Sequence, residues 1–199
     1  MDSATSDAAV AYLAPTVQQS VKIIITGHFA VGKTTMVAAL SEYEPLHTEE
    51  ALSQAGETVD DLTWTPRKTT TTVAYDFGRL TIDPRLVLYL FGTPGQDRFS
   101  GLWEDLTRGA AGAMVLVDTR RLAESFPILD RLEELGLPYA VAVNSFDGAP
   151  RHEPDEIRRS LVLPDRTPLV QCDVRHRRSA ADAVIALVEY LLVPSPEHP

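Results

Sequence analysis

The chain has 199 residues, 44% of them hydrophobic and 23% charged, the composition of one folded domain with a full apolar core; a mostly disordered chain is excluded. Eighteen basic residues against 28 acidic ones leave a net charge of -10. That balance argues against nucleic acid as a partner, because duplex binders neutralise phosphates, and the only short basic run is Arg175-His176-Arg177-Arg178. A single cysteine, Cys172, excludes an internal disulfide and reads as a small buried hydrophobe, and the 5 histidines lack the spacing of a zinc site.

Residues 1–19 read as a flexible tail without the basic and apolar blocks of a secretory leader. Asp2 excludes myristoylation and Glu197-His198-Pro199 excludes prenylation. Val21 to Thr26 is a β-branched strand ending at Gly27, and Thr34 to Tyr43 a helix with Met36, Val37 and Leu40 on one face. A long polar segment from Glu44 to Arg67 follows, in which Trp64 either packs on the domain or meets a partner. Thr72–Phe77 and Leu86–Phe91 are strands joined by the turn at Asp83-Pro84; the short link permits an antiparallel pair, and with the long polar segment before it the first strand is expected at the sheet edge. Asp97–Arg108 is a helix, Ala113–Val117 a buried strand ending at Asp118, and Leu122–Leu135 a helix stopped by Gly136. The strand Tyr139–Val143, a short helix from Pro154, the strand Leu169–Cys172 and the helix Ser179–Leu192 complete the chain. No apolar stretch is long enough to span a bilayer, so direct membrane insertion is excluded and a soluble, cytoplasmic protein is expected. Strands alternating with helices specify an α/β fold: a six-stranded, mainly parallel sheet with one antiparallel strand, covered on both faces by about five helices. One domain over residues 20–193 is expected, with residues 194–199 as a second tail.

In such sheets ligands sit at the carboxyl ends of the strands. There, Gly27-His28-Phe29-Ala30-Val31-Gly32-Lys33-Thr34 matches the Walker A pattern, followed by Thr35, with a strand before it and a helix after it. The spacing lets backbone N–H groups wrap a diphosphate at a helix N-terminus, with Lys33 reaching the β- and γ-phosphates and the Thr34 hydroxyl ligating Mg²⁺. A chance match in a chain of this length is about one in a hundred.

Phe91-Gly92-Thr93-Pro94-Gly95-Gln96-Asp97-Arg98-Phe99 resembles the W-D-T-A-G-Q-E-R-F segment of Ras-like small GTPases. Asn144-Ser145-Phe146-Asp147 resembles their guanine-reading N-K-x-D, Cys172-Asp173-Val174-Arg175 their S-A-K loop, and Thr72–Phe77 their first switch. Within that superfamily of P-loop proteins the chain is most similar to the bacterial MglA-type GTPases and the nucleotide-binding proteins of actinobacterial conservon clusters. The resemblance implies that Gln96 orients the attacking water, that Gly95 meets the γ-phosphate, and that one threonine of the Thr69–Thr72 run joins Thr34 on Mg²⁺; counting back from Asp76-Phe77 favours Thr72, with Thr71 next. It implies that Asn144, Asp147, Asp173, Val174 and Arg175 surround guanine, and that a roadblock/LC7-fold dimer and an activating protein are partners.

Three positions depart from the pattern. Gly92 replaces the aspartate that holds a Mg²⁺-bound water, Ser145 replaces the lysine that packs along the base, and Phe29 stands where glycine is usual beside the γ-phosphate. Asp118 is offset from Gly92's role unless the fold brings it near, and Arg67, five residues before Thr72, reads first as a solvated loop charge and second as an arginine supplied in cis. The leading expectation is a GTP-binding switch with slow hydrolysis. A nucleotide-binding scaffold with negligible hydrolysis and an ATP-dependent phosphotransferase are the alternatives, although no acceptor signature accompanies the latter.

Overall fold

A computed structural model describes residues 16–44, 46–53, 70–94 and 100–193. Seven strands form one sheet in the order β2-β3-β4-β1-β5-β6-β7, with β1 Gln19–Thr26, β2 Leu46–Ser53, β3 Thr70–Asp83, β4 Leu86–Gly92, β5 Gly112–Val117, β6 Tyr139–Asn144 and β7 Leu169–Cys172. The helices are α1 Lys33–Leu40, α2 Ser100–Thr107, α3 Phe126–Glu134, α4 Pro154–Ser160 and α5 Arg177–Leu192. All six expected strands and all five expected helices are present, and β3 alone runs against the others.

Period-2 alternation in strands covered on both faces produces two cores. Ile23, Ile25, Met114, Leu116, Ala140 and Ala142 pack on the face covered by α1 and α5. Ile24, Ala113, Val115, Val117, Val141 and Val143 pack on the other face against Leu129, Leu132 and Ile157 of α3 and α4. Ile23, Ile24 and Ile25 are all fully buried, which places β1 at the centre and carries its carboxyl end directly into the phosphate loop.

The edge expected for β3 is corrected. β2 pairs with it residue by residue from Leu46 opposite Phe77 to Ser53 opposite Thr70, so the sheet has a seventh strand and β3 lies inside it. Leu46–Ser53 contains Glu-Glu-Ala-Leu and one β-branched residue, a composition that does not specify a strand. Its extended state comes from the open hydrogen-bonding edge that β3 offers.

Candidate functional site

The phosphate loop leaves β1 at Gly27 and turns into α1. Gly32 takes φ 110°, and a Cβ there would meet the Asn144 amide and the Val174 side chain, each at 2.9 Å. No side chain caps α1 and no acidic residue occupies its first turn, so the first-turn amides and the positive end of the helix face outward. The Lys33 ammonium lies back on the loop and donates to the Gly27 and His28 carbonyls, both at 2.8 Å. Burial pulls its pKa down to about 8, against the opposing charge of Asp76. Phe29, Lys33, Thr34, Thr35, Asp76 and Thr93 are among the residues lining a cleft of about 340 Å³ over this loop. Phe29 stands 60% exposed at its mouth, where the resemblance sets the γ-phosphate.

Asp76 is the residue that sequence reasoning missed. The Thr34 hydroxyl donates to its carboxylate at 2.5 Å. Asp76 pairs with Gly92 across the β3–β4 ladder, and a Cβ on Gly92 would lie 3.1 Å from both Asp76 Cβ and Oδ2. An aspartate at 92 and one at 76 compete for the same space; this chain has its carboxylate on the neighbouring strand. The signal in the sequence is a charged residue midway along a strand, between Tyr75 and Phe77, but only the ladder register sets it opposite Gly92. Asp118 does not come to this place. It is buried at the end of β5 and bound by Arg120 at 2.6 Å. Burial works to raise its pKa, but the Arg120 hydrogen bonds and charge prevail and hold it below the ordinary value.

A second arginine from the same connection meets the phosphate loop. Arg121 departs from helical geometry at φ -138° and donates to the Phe29 carbonyl at 3.3 Å, while Glu124 holds its other nitrogens at 2.6 Å. In Ras-like proteins the lysine absent at Ser145 braces the loop; here Arg121 contacts it from β5's side. His28 is buried, with Nδ1 2.7 Å from the Phe29 carbonyl.

Asn144 is buried at the end of β6 and joins three segments. Its amide donates to the Val31 carbonyl at 2.9 Å and its oxygen accepts from the Val174 N–H at 3.2 Å. Asp147, Asp173 and Arg175 line an adjoining cleft of about 430 Å³ with Asn144. Asp147 presents its carboxylate at 89% side-chain exposure, and Arg175 bonds to both Asp147 and Asp173. The Arg175 hydrogen bond, working against a lesser effect of burial, holds the Asp173 carboxyl well below the usual carboxylate range. Cys172 beside it is buried, its thiol pushed up by that burial, as a packing residue is.

The expected residues are thus partly gathered. Gly27 to Thr35 form the loop, and Asn144 links it to Val174 beside Asp147, Asp173 and Arg175. Thr72 is not gathered: it pairs with Ala51 in the β2–β3 ladder, four residues from Asp76 and so about 13 Å along the strand. Gly95, Gln96, Trp64 and Arg67 lie outside the described residues, as do the chain ends through residues 15 and from 194. Among the described residues no three His, Cys, Asp or Glu side chains cluster as a metal cage, and no helix is long and apolar enough to cross a membrane.

A Walker loop at the central strand, with an asparagine tying it to the strand two places along, is the frame of a nucleotide-binding P-loop domain. The profile of the conserved hypothetical ATP-binding proteins matches residues 25–193. The chain belongs to that family. An uncharacterized protein of Methanocaldococcus jannaschii is 30% identical over 132 residues, which cover 65% of this chain and 73% of that protein. Among solved structures, the chain is similar to the cytosolic domain of the T. maritima FeoB iron transporter in a GDP form, with TM-score 0.63 and 19% identity. That match covers 90% of this chain and 66% of the other, so the chain spans about two thirds of that domain. It is also similar to the FeoB G-domain of Methanococcus jannaschii, with TM-score 0.59 and 16% identity over 87% of this chain and 99% of the other. At these identities the likeness shows the fold, which is that of a P-loop GTPase G-domain.

Proposed function

We propose that the chain is a guanine-nucleotide switch that binds GTP and GDP with Mg²⁺ and hydrolyses GTP slowly. The observation that carries this reading is Asn144, buried and bonded to both the phosphate loop and the Val174 backbone, with the exposed Asp147 carboxylate three residues on. A carboxylate there accepts guanine N1–H and N2–H together and leaves the adenine edge unmatched. Asn144 holds that reader in register with the loop that takes the phosphates.

The groups beside the loop fit Mg²⁺: the Thr34 hydroxyl is a hard oxygen that would hold the ion, nucleotide phosphates and waters would complete its shell, and the Asp76 carboxylate would accept from one of those waters. When bound, the ion neutralises charge on the β- and γ-oxygens. With nucleotide bound, Lys33 would leave its two loop carbonyls for the phosphates, and the Thr34 hydroxyl would give up Asp76 to hold the ion. Asp76 would then take the outer position usually given to the residue at 92. Gln96 orients the attacking water and Gly95 meets the γ-phosphate. For Thr72 to join them, the start of β3 has to leave β2, and that separation is the proposed switch movement. Phe29 crowds Gln96, no arginine immediately precedes Thr72 and no aspartate stands at Gly92, so intrinsic turnover is set at or below about 10⁻⁴ per second.

A roadblock/LC7-fold dimer is the proposed partner, resting on the resemblance to MglA-type and conservon proteins. With β3 covered, it meets the switches and the outer edge of β2 rather than β3 itself. An activating protein acts on the same surface, and membrane recruitment of this cytoplasmic protein would run through such partners. Titration of GDP- and GTP-analogue-loaded protein against the dimer should show tighter binding of the GTP form by about 1–3 kcal/mol; equal affinities would leave a nucleotide-insensitive scaffold.

The family description names ATP, and it supports a second reading in which the base site accepts adenine. Chromatography of nucleotide released from purified, denatured protein decides between them: guanine supports the proposal and adenine overturns it. Single-turnover hydrolysis then separates a slow GTPase from a scaffold with no measurable turnover.

A further inference from the structure

We infer that Arg175 is an internal competitor for the base: it bonds to both oxygens of the Asp147 carboxylate and must be displaced before guanine is read. The inference rests on the proposal that Asp147 reads guanine. Arg175 Nη1 donates to Asp147 Oδ2 at 3.2 Å and Nη2 to Asp147 Oδ1 at 3.3 Å. Two parallel N–H donors on the two oxygens of one carboxylate are also what the guanine N1–H and N2–H edge presents, so fork and base cannot be held together. Arg175 has somewhere to go. Its Nε donates to Asp173 Oδ1 at 2.9 Å, Nη2 to Asp173 Oδ2 at 2.8 Å, and its backbone N–H to Asp173 Oδ1 at 3.0 Å. Asp173 therefore retains the guanidinium when Asp147 is given up, and the exchange swaps one bidentate pair for another rather than stranding a charge.

Adenine offers no such pair of donors and has no reason to displace the fork. Arg175 therefore lowers affinity for guanine selectively, and it closes again on Asp147 whenever guanine leaves. The displaced pair is exposed, which keeps the penalty small, at about two- to fivefold in affinity.

The test is a double-mutant cycle on full-length protein, reading the ratio of ADP to GDP dissociation constants. The ratio removes any general effect of losing a positive charge, which both nucleotides share. Arg175→Gln should raise the guanine preference two- to fivefold, Asp147→Ala should remove the preference, and Arg175→Gln should then have no further effect. In 1 M salt the difference between wild type and Arg175→Gln should shrink. A fall in guanine preference on Arg175→Gln means that the arginine holds the base, and overturns the inference. No change on Arg175→Gln, with preference still lost in Asp147→Ala, overturns the inference alone. Preference retained in Asp147→Ala overturns the base-reader assignment and the inference with it. Thermal melts of each variant establish that the comparison is between folded proteins.

Discussion

The Thr34 hydroxyl donates to the Asp76 carboxylate at 2.5 Å, joining the first turn of α1 to the antiparallel strand β3. Gly92 sits opposite Asp76 in the β3–β4 ladder and leaves room for it, because a Cβ there would lie 3.1 Å from Asp76 Cβ and Oδ2. The carboxylate that Ras-like proteins place on one strand is thus offered here by the next.

Asp76→Ala should weaken Mg²⁺-dependent nucleotide binding by about 10- to 100-fold, the usual effect of losing an outer partner of a metal site. Moving the carboxylate back, as Asp76→Gly with Gly92→Asp, frees the contested space and should recover part of the loss. Titration of Mg²⁺ against a fluorescent GDP analogue measures both. Undiminished metal dependence in Asp76→Ala would remove Asp76 from the site.

Nucleotide affinity should fall as pH rises above about 8. The sign follows from Lys33, whose pKa burial lowers to about 8 in the free protein, while bound phosphates hold it charged. Below that pH the lysine is charged in both states and affinity is flat with respect to this group. Above it the free protein has lost the proton and must regain it to bind, at up to tenfold in affinity per pH unit until the bound-state pKa is reached. Lys33→Ala should bind nucleotide very weakly at every pH without unfolding; normal affinity in that variant would refute the phosphate-site assignment.

Asn144→Ala should destabilise the protein by about 2–6 kcal/mol. It leaves two buried groups, the Val31 carbonyl and the Val174 N–H, without their partner, at about 1–3 kcal/mol each. In a domain of this size the expected drop in Tm is about 4–24 °C. A change below 1 °C in calorimetry would mean that the contacts reform around water.

Arg121→Ala should speed nucleotide release by about 2- to 10-fold with little change in stability. It removes one partly exposed hydrogen bond to the phosphate loop, at Phe29, and its ion pair with Glu124 is also at the surface. Stopped-flow displacement of a fluorescent nucleotide tests it; an unchanged release rate would show that Ser145 lacks a substitute brace.

Contiguous features were legible in the chain. The Walker loop, the strands either side of β1 and the five helices could be read because periodicity and turn residues act within a few positions. The strand β2 could not be read. Leu46–Ser53 has no alternation to declare it, and pairing to β3 supplies its hydrogen bonds. Counting back from Asp76 favours Thr72 as the switch threonine, whereas the structure pairs Thr72 with β2 and brings Asp76 itself to Thr34.

By itself, then, the sequence determined the phosphate loop and the order of strands and helices, since the groups that make them are neighbours along the backbone. It determined too that Gly92 and Ser145 lack the side chains the family pattern expects. Only the tertiary structure decided which residues meet at the site. Asp76 faces Gly92 through the β3–β4 register, Arg121 reaches Phe29 from 92 residues away, and Arg175 reaches Asp147 from 28. Such pairings depend on how strands align and where loops emerge from the sheet, and a substitution at one strand end can be offset by any residue the fold carries to the same point.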